Sequence, residues 1–296
     1  MKKFLYCLLA FLIIGSAAGG AVLFSNLSYS DKPGGGFDTP QNSITATAPD
    51  NTDLWTASGN YASAFDNEDE AGIDGTSEEK AYEIRTAEQL ARLAYLINDS
   101  STNSTYRDLY YVQTANIDLS LYYWDAIGTS SYYFSGSYDG GGYEISGLYT
   151  QAGSTGDYSN QGLFGCIEGQ SETNMAIIKN VGIIDSNIQG SYNVGGVVGE
   201  ARYSTITNSY NTGTVYGRGS CVGGVVGYAD DLTVTNCYNT GSVYGEGSYV
   251  GGVVGIAYSY STITNCYNTG TVTGGNYYVG GVVGYADDLT VTNCYN

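Results

Sequence analysis

The chain has 296 residues, of which 29 are acidic, 10 are basic and none is histidine, so its formal net charge is −19 at pH 7. A protein that binds a phosphate backbone needs a basic face, so this balance excludes a nucleic-acid-binding function. The lack of histidine excludes Ser-His-Asp and Cys-His catalysis and histidine-ligated metal sites. The 43 glycines and 31 tyrosines make up a quarter of the chain. With so few charges, this composition favours many short strands joined by tight turns.

The amino-terminal segment has the pattern of a secretory signal peptide. Lys2 and Lys3 precede the apolar run FLYCLLAFLIIG, which ends in the small residues SAAGGA. We therefore predict a signal peptide over residues 1–24 and an exported protein that is secreted or held at the cell surface. An uncleaved anchor is the alternative, because about 21 apolar residues can span a bilayer. Residues 25–53 are predicted to be a flexible linker, since they are rich in Ser, Thr, Asp, Asn and Gly.

One amphipathic helix is predicted at 87–97. Thr86 and Gln89 form the pattern of a capping box, in which the two side chains bond each other's backbone amides. Four apolar residues then recur at helical spacing on one face: Leu90, Leu93, Ala94 and Ile97. We interpret residues 54–133 as an amino-terminal cap region, whose helix covers the hydrophobic end of a stack of strands.

A repeat of about 28 residues dominates the rest of the chain. The string VGGVVG begins at positions 194, 222, 250 and 279, and a degenerate copy, GLFG, occupies 162–165. The 18-residue string VGGVVGYADDLTVTNCYN occurs identically at 222–239 and 279–296, which indicates duplication of a two-repeat unit. The single longer interval is accounted for by one extra residue in the turn YSYST.

The period predicts an all-β fold: a parallel β-helix, expected to be right-handed, over residues 134–296. Each repeat holds three strand-like pieces, VGGVVGYA, LTVTN and GSVYG, which is typical of one β-helix coil. The motif copies give five coils, stacked at about 4.8 Å. A propeller blade fits worse, because it needs four strands and roughly 40 residues. By strand alternation, the middle residues of the T-x-T segments point inward: Ile206, Val234, Ile263 and Val291.

These motifs resemble a known repeat family. They are similar to the GLUG-motif repeats of adhesin-like bacterial and archaeal surface proteins. The similar segments are GLFG, the VGGVVG variants, and the TITN or TVTN segments that lead into YN-TG. Upstream, N-I-D-L at 116–119 and D-G-G-G-Y-E-I at 139–145 match the segment that usually accompanies those repeats. The resemblance covers about 54–296 and implies a secreted, cell-surface β-helix. Some relatives carry peptidase domains, but without histidine this chain cannot contain an H-E-x-x-H motif.

Two kinds of stacked polar row are predicted to be structural. Asparagine amides can donate to and accept from an identical amide in the next coil, at positions Asn208, Asn236, Asn265 and Asn293, and again three residues later. Cys237, Cys266 and Cys294 also share one repeat position. Parallel side chains in such a row disfavour disulfide geometry, so buried free thiols are expected. We predict neither a metal nor a cofactor.

Two other rows are candidates for binding. Tyrosines at Tyr210, Tyr238, Tyr267 and Tyr295 could stack on sugars or on a host protein, or could merely cover the sides of the rod. Paired threonines form a grid of about 4.8 by 7 Å, at Thr205, Thr207, Thr233, Thr235, Thr262 and Thr264. Ice binding through this grid is a minor alternative.

The leading prediction is an exported, non-catalytic, adhesin-like surface protein whose repetitive face binds a host or environmental glycan or protein, or serves as a stalk. The alternative is a carbohydrate-active enzyme, because polysaccharide lyases and pectin hydrolases share the β-helix fold. Beyond residue 180, however, the only basic residues are Arg202 and Arg218. Asn296 ends the last coil before its third strand, so we expect the natural protein to continue and this chain to associate end to end through 290–296.

Overall fold

A computed structural model describes residues 48–50, 52–150 and 158–296. The predicted signal peptide (1–24) and most of the predicted linker (25–53) lie outside the described residues. No helix in the described part of the chain combines the length and the apolar character that crossing a membrane requires.

Short strands in parallel layers account for nearly all of the regular structure. The amino-terminal part contains a 3-10 helix (Glu78–Lys80), β1 (Tyr82–Ile84), α1 (Ala87–Asn98), α2 (Asn103–Tyr106), β2 (Tyr110–Gln113), β3 (Ile117–Asp118), β4 (Ser137–Asp139) and β5 (Glu144–Ser146). The coil with the degenerate motif contains β6 (Phe164–Glu168), β7 (Ala176–Lys179), β8 (Gly182–Ile184) and β9 (Asn187–Gly190).

The four repeat coils follow with nearly the same layout. The first two contain β10 (Val194–Gly195), β11 (Val198–Thr207), β12 (Tyr210–Asn211), β13 (Thr214–Gly217), β14 (Val222–Gly223), β15 (Val226–Thr235), β16 (Tyr238–Asn239) and β17 (Val243–Gly245). The last two contain β18 (Val250–Gly251), β19 (Val254–Tyr258), β20 (Thr262–Thr264), β21 (Tyr267–Asn268), β22 (Val272–Gly274), β23 (Val279–Gly280), β24 (Val283–Ala286) and β25 (Thr290–Thr292).

The strands assemble into four parallel sheets, each made of one strand position taken from successive coils. The longest has 11 strands, and its main path is β1-β2-β4-β7-β11-β15-β19-β24. The others follow β3-β5-β8-β12-β16-β21, β9-β13-β17-β22 and β10-β14-β18-β23. The predicted parallel solenoid with coils of about 28 residues is confirmed.

The solenoid has about seven turns, two more than the five counted from repeat motifs. The additional turns are built around β2 with β3 and β4 with β5, whose segments lack the VGGVVG string but pair in parallel with the following coil. The ladder of parallel strands therefore runs upstream of residue 134. The division into a cap at 54–133 and a β-helix at 134–296 stays a prediction about domains.

The interior of the coils is a stack of branched aliphatic side chains. Ile206, Val234 and Ile263 are at most 1% exposed, which confirms the predicted inward alternation for these three. Val291 is 45% exposed, because it lies on the last coil of the sequence and no coil of this chain packs over it. The glycines of the repeat permit a tight corner: a Cβ on Gly223 would lie 1.9 Å from the carbonyl oxygen of Val226.

The amino-terminal helix packs into the same core. Its capping box is present as predicted, with the amide of Gln89 donating to Thr86 Oγ1 at 3.3 Å and the amide of Thr86 donating to Gln89 Oε1 at 3.2 Å. The four apolar residues of its predicted face are all fully buried. At its other end, Asn98 donates to the carbonyl oxygen of Ala126 and accepts from the amide of Gly128, which ties the helix to the coil backbone.

Removing two coils should leave a shorter folded rod. Deletion of Val222 to Tyr278 joins Cys221 to Val279, and Val222 and Val279 occupy equivalent positions in one sheet. Because solenoid stability is approximately a sum over neighbouring coils, we expect a β-type circular dichroism spectrum and a cooperative thermal transition. Aggregation of the deletion variant under conditions in which the full chain stays soluble would show that the assigned register is wrong.

A charge in the aliphatic stack should be strongly destabilising. Val234 is fully buried between Ile206 and Ile263, so Val234→Asp places a carboxylate where it finds no partner. We expect a loss of more than about 3 kcal/mol in the free energy of unfolding, measured by urea denaturation. The exposed Thr240 on the same coil provides the control. Thr240→Asp should change the free energy by less than about 0.5 kcal/mol.

Candidate binding surface

The parallel register places the four predicted tyrosines in one stack, called here the tyrosine row (Tyr210, Tyr238, Tyr267 and Tyr295). Successive ring centroids are 4.7, 4.9 and 5.0 Å apart, and neighbouring ring planes differ by at most 5°. The stack follows directly from pairing between β12, β16 and β21, with Tyr267 bridged to Tyr295. A second, shorter stack joins Tyr216 and Tyr244 at 5.4 Å.

A glycine in the preceding coil begins the tyrosine row. Gly182 pairs with Tyr210, and a Cβ at Gly182 would lie only 2.5 Å from the tyrosine ring, so the ring lies across this position. The hydroxyl of Tyr210 thereby reaches Glu144, one coil further, and donates to its Oε1 at 2.9 Å. Burial, together with the Glu144 carboxylate, raises the pKa of Tyr210 to about 12, so this hydroxyl remains a donor near neutral pH.

The stacking decides what the tyrosine row offers a ligand. At a separation of about 5 Å the face of each inner ring is covered by its neighbours, which leaves the ring edge and the phenol oxygen. Along the side of the row a sugar therefore meets hydroxyl groups and not ring faces. Sequence reasoning missed this, because it placed the rings without their mutual orientation.

The threonines lie in register as predicted, on the outer face of the longest sheet. Thr205, Thr233 and Thr262 form one row, and Thr207, Thr235 and Thr264 form the other. All six are half-buried. Upstream the same positions are occupied by Ile177 and Lys179, and Thr205 Oγ1 donates to the sulfur of Met175 at 3.3 Å. The threonine rows therefore end against a loop, and ice binding through them stays a prediction.

An outer asparagine row (Asn208, Asn236, Asn265 and Asn293) runs along one corner of the coils. Each Nδ2 donates to the Oδ1 of the asparagine one coil earlier, at 3.0 to 3.2 Å. The row continues to Asn180, which donates to Asp139 Oδ1 at 2.8 Å. The φ angles of these five asparagines lie between 49° and 57°, a left-handed conformation that asparagine tolerates better than most residues.

An inner asparagine row (Asn211, Asn239, Asn268 and Asn296) has the opposite polarity. The Nδ2 groups of the first three donate to the Oδ1 one coil later, at 2.6 to 2.8 Å. The first three of these side chains are fully buried, and each also donates to the carbonyl oxygen two residues further along the chain. Their amide groups therefore join coil to coil and close a turn within each coil.

Each thiol of the cysteine row (Cys237, Cys266 and Cys294) donates to the carbonyl oxygen of the threonine two residues earlier. All five described cysteines are free, and Cys237 is completely buried. Its thiol donates to the carbonyl oxygen of Thr235 at 3.4 Å, as the Ser209 hydroxyl does to Thr207 at 2.9 Å. Burial raises the pKa of Cys237 well above its ordinary value, which keeps the thiol protonated. No cluster of Cys, Asp or Glu among the described residues could hold a metal ion.

The period of these rows coincides with that of a described family. The model of the GLUG motif matches residues 190–216, 218–244, 246–273 and 275–296. Residues 190–296 carry four GLUG repeats. The resemblance to GLUG repeats is thereby confirmed for residues 190–296, and the tyrosine, threonine, cysteine and two asparagine rows all belong to the GLUG coils.

The fold as a whole also has a solved counterpart. The chain is similar to a candidate immunoglobulin A1 protease from Bacteroides ovatus, with a TM-score of 0.62 and 23% sequence identity over 75% of this chain and 68% of that protein. At this identity the likeness establishes a shared fold alone. No curated protein matches the sequence.

The inner asparagine row should contribute strongly to stability. Asn239→Ala removes the acceptor of the Asn211 amide. It also removes one of the two donors to Asn268 Oδ1 and the side-chain donor to the carbonyl oxygen of Gly241. We expect the free energy of unfolding to fall by about 2–3 kcal/mol, because these groups are buried. Equilibrium urea denaturation measures this change.

The outer row provides a matched control for that substitution. Asn236 is exposed, and Asn236→Gly keeps the left-handed backbone accessible while it removes the amide. The loss should be less than about 1 kcal/mol, since water can replace the missing hydrogen bonds. Equal losses in the two variants would contradict the assignment of the inner row as the stabilising one.

Proposed function

We propose that this protein is an exported, adhesin-like surface protein whose GLUG coils present repeating side-chain rows to a glycan or protein partner and also serve as a stalk. In this proposal the protein has no catalytic role. Export is supported by the signal-like amino-terminal pattern, with its basic start, apolar run and small-residue exit.

The observation that carries the proposal is the tyrosine row. Four phenol groups recur at the coil spacing with nearly parallel rings. The Tyr210 hydroxyl is bonded to Glu144, so the other three offer a ligand group the same contact three times. Repetition of a weak contact raises the overall affinity of a partner that is itself repetitive, such as a polysaccharide or an array of surface proteins. Between 190 and 296 there are only six acidic and two basic residues, which favours a partner of low charge.

The charged groups of the GLUG coils support a non-catalytic role. Lyase and hydrolase chemistry needs a general acid or base and a group that stabilises developing charge. Of the two arginines in these coils, Arg202 is paired with Glu200 at 2.7 Å and lies over the ring of Tyr228. The ion pair lies within β11, and the contact with Tyr228 joins neighbouring coils, so both contacts fit a structural role better than a catalytic centre.

A binding screen joined to a turnover assay tests the proposal. The purified full chain is applied to a glycan array and to host surface proteins, and each bound glycan is then incubated with it. We expect binding without release of reducing or unsaturated ends. Tyr238→Phe combined with Tyr267→Phe removes two hydroxyls of the tyrosine row but keeps the rings, and should weaken binding at least tenfold.

The second tyrosine stack supplies the matched control. Tyr244→Phe removes a hydroxyl from the stack of Tyr216 and Tyr244 on another sheet, and should leave the affinity unchanged. Release of new chain ends from any glycan would overturn the non-catalytic assignment. Failure of the full chain to bind any glycan or surface protein would overturn the binding role.

A further inference from the structure

Two departures from the repeat period occur in the longest sheet. In two successive coils, the segment that joins the longest sheet is one continuous strand of 10 residues, β11 or β15. One coil earlier it is split into β6 and β7 by the loop 169–175. One coil later it is split into β19 and β20 by the turn 259–261, where one residue has been added relative to the coil before.

Both departures border the same cavity. It has a volume of about 400 Å³ and is lined by one member of the threonine rows, Thr233. The residues that line it are Glu172, Met175, Asp231, Leu232, Thr233 and Tyr260. Insertions in repeat proteins often gather on the face that binds a partner. We name this cavity the Tyr260 groove.

Both walls of the Tyr260 groove are held by backbone hydrogen bonds. In the loop, the amide of Gln170 donates to the carbonyl oxygen of Asn174 at 2.9 Å, and the amide of Asn174 donates to Ser171 at 3.1 Å. In the turn, the amide of Tyr260 donates to the carbonyl oxygen of Asp288 at 2.8 Å. The groove therefore exists before any ligand arrives, which lowers the entropy cost of binding.

Tyr260 is unusual among the tyrosines of the coils. Its side chain is 80% exposed, and its ring has no aromatic partner among the described residues, in contrast to the stacked tyrosine row. The φ angles of Ser259 and Tyr260 are 44° and 49°. Two successive residues therefore adopt the left-handed conformation, which is unfavourable for most residues other than glycine. This backbone holds a free aromatic face beside the cavity.

The remaining lining groups complement the aromatic ring. Asp231 and Glu172 supply carboxylate acceptors and Thr233 supplies a hydroxyl, while Met175 adds apolar surface. Partial desolvation, with the nearby charges of Asp230 and Glu172, raises the pKa of Asp231. A sugar ring needs this combination, an aromatic face for its C–H groups and acceptors for its hydroxyls. Two carboxylates repel anionic sugars, and about 400 Å³ is within the range of small-molecule sites.

We propose that the Tyr260 groove is a binding site for a neutral saccharide, with the sugar ring against Tyr260 and its hydroxyl groups donating to Asp231 and Glu172. The site is separate from the tyrosine row, lies on another sheet and does not depend on the role proposed for that row.

The test uses the full chain on an array of neutral, cationic and anionic oligosaccharides, followed by titration calorimetry with the best neutral ligand. Tyr260→Ala should weaken binding at least tenfold, whereas Tyr260→Phe should keep it within about threefold, because the ring face remains. Asp231→Asn preserves the size and left-handed backbone of Asp231 but removes its charge, and should weaken binding about three- to tenfold.

Tyr277→Ala is the matched control, since Tyr277 is 77% exposed but lies outside the groove. Its affinity should equal that of the unmodified protein, and circular dichroism confirms that each variant is folded. Failure of the unmodified protein to bind any neutral saccharide, a preference for anionic ones, or unchanged affinity in both Tyr260→Ala and Asp231→Asn would overturn the proposal. Binding lost only on substitution of the tyrosine row would overturn the groove and leave the proposed function intact.

Discussion

Each residue of the GLUG coils lies over its own counterpart one repeat away, and this register constrains the whole structure. At the positions where the repeats are identical, a side chain must pack against a copy of itself. Valine and isoleucine meet this condition in the interior, and asparagine meets it because an amide both donates and accepts. A repeated charge cannot meet this condition, because it would repel its copy. This explains why residues 190–296 include so few charged side chains. The pairs Asp230-Asp231 and Asp287-Asp288 recur only in every second coil.

The amino-terminal turns supply hydrogen-bond acceptors at the start of two of the rows, where no earlier GLUG coil can supply one. The tyrosine row ends on Glu144, which is reached across Gly182, and the outer asparagine row ends on Asp139. Both carboxylates lie in one turn that lacks the repeat motif, at the end of β4 and the start of β5. The irregular part of the chain therefore terminates these two rows with an acceptor, besides enclosing the apolar core with α1.

The periodic features were predictable from the sequence, and features that depend on contacts between unlike coils were not. Strand alternation placed Ile206 inward, and the repeat spacing predicted the stacked rows, because both signals are local and recur. The turns of β2 to β5 carry no motif to count. The contact between Gly182 and Tyr210 joins coils of different sequence, and the Tyr260 groove depends on which loops meet in space. Neither leaves a signature in a single repeat.

The opposed polarities of the two asparagine rows have a consequence for errors in assembly. In the inner row, turning one amide by 180° would bring two NH2 groups together on one side and two oxygens on the other, so one mistake produces two repulsive junctions. Along the row alone, two arrangements lack such defects, all amides forward or all reversed. Each buried inner amide also donates to the carbonyl oxygen two residues along, which selects the forward arrangement. In the outer row Asp139 accepts but cannot donate, so it selects one arrangement at its end. A single carboxylate thereby sets the orientation of amides up to five coils away.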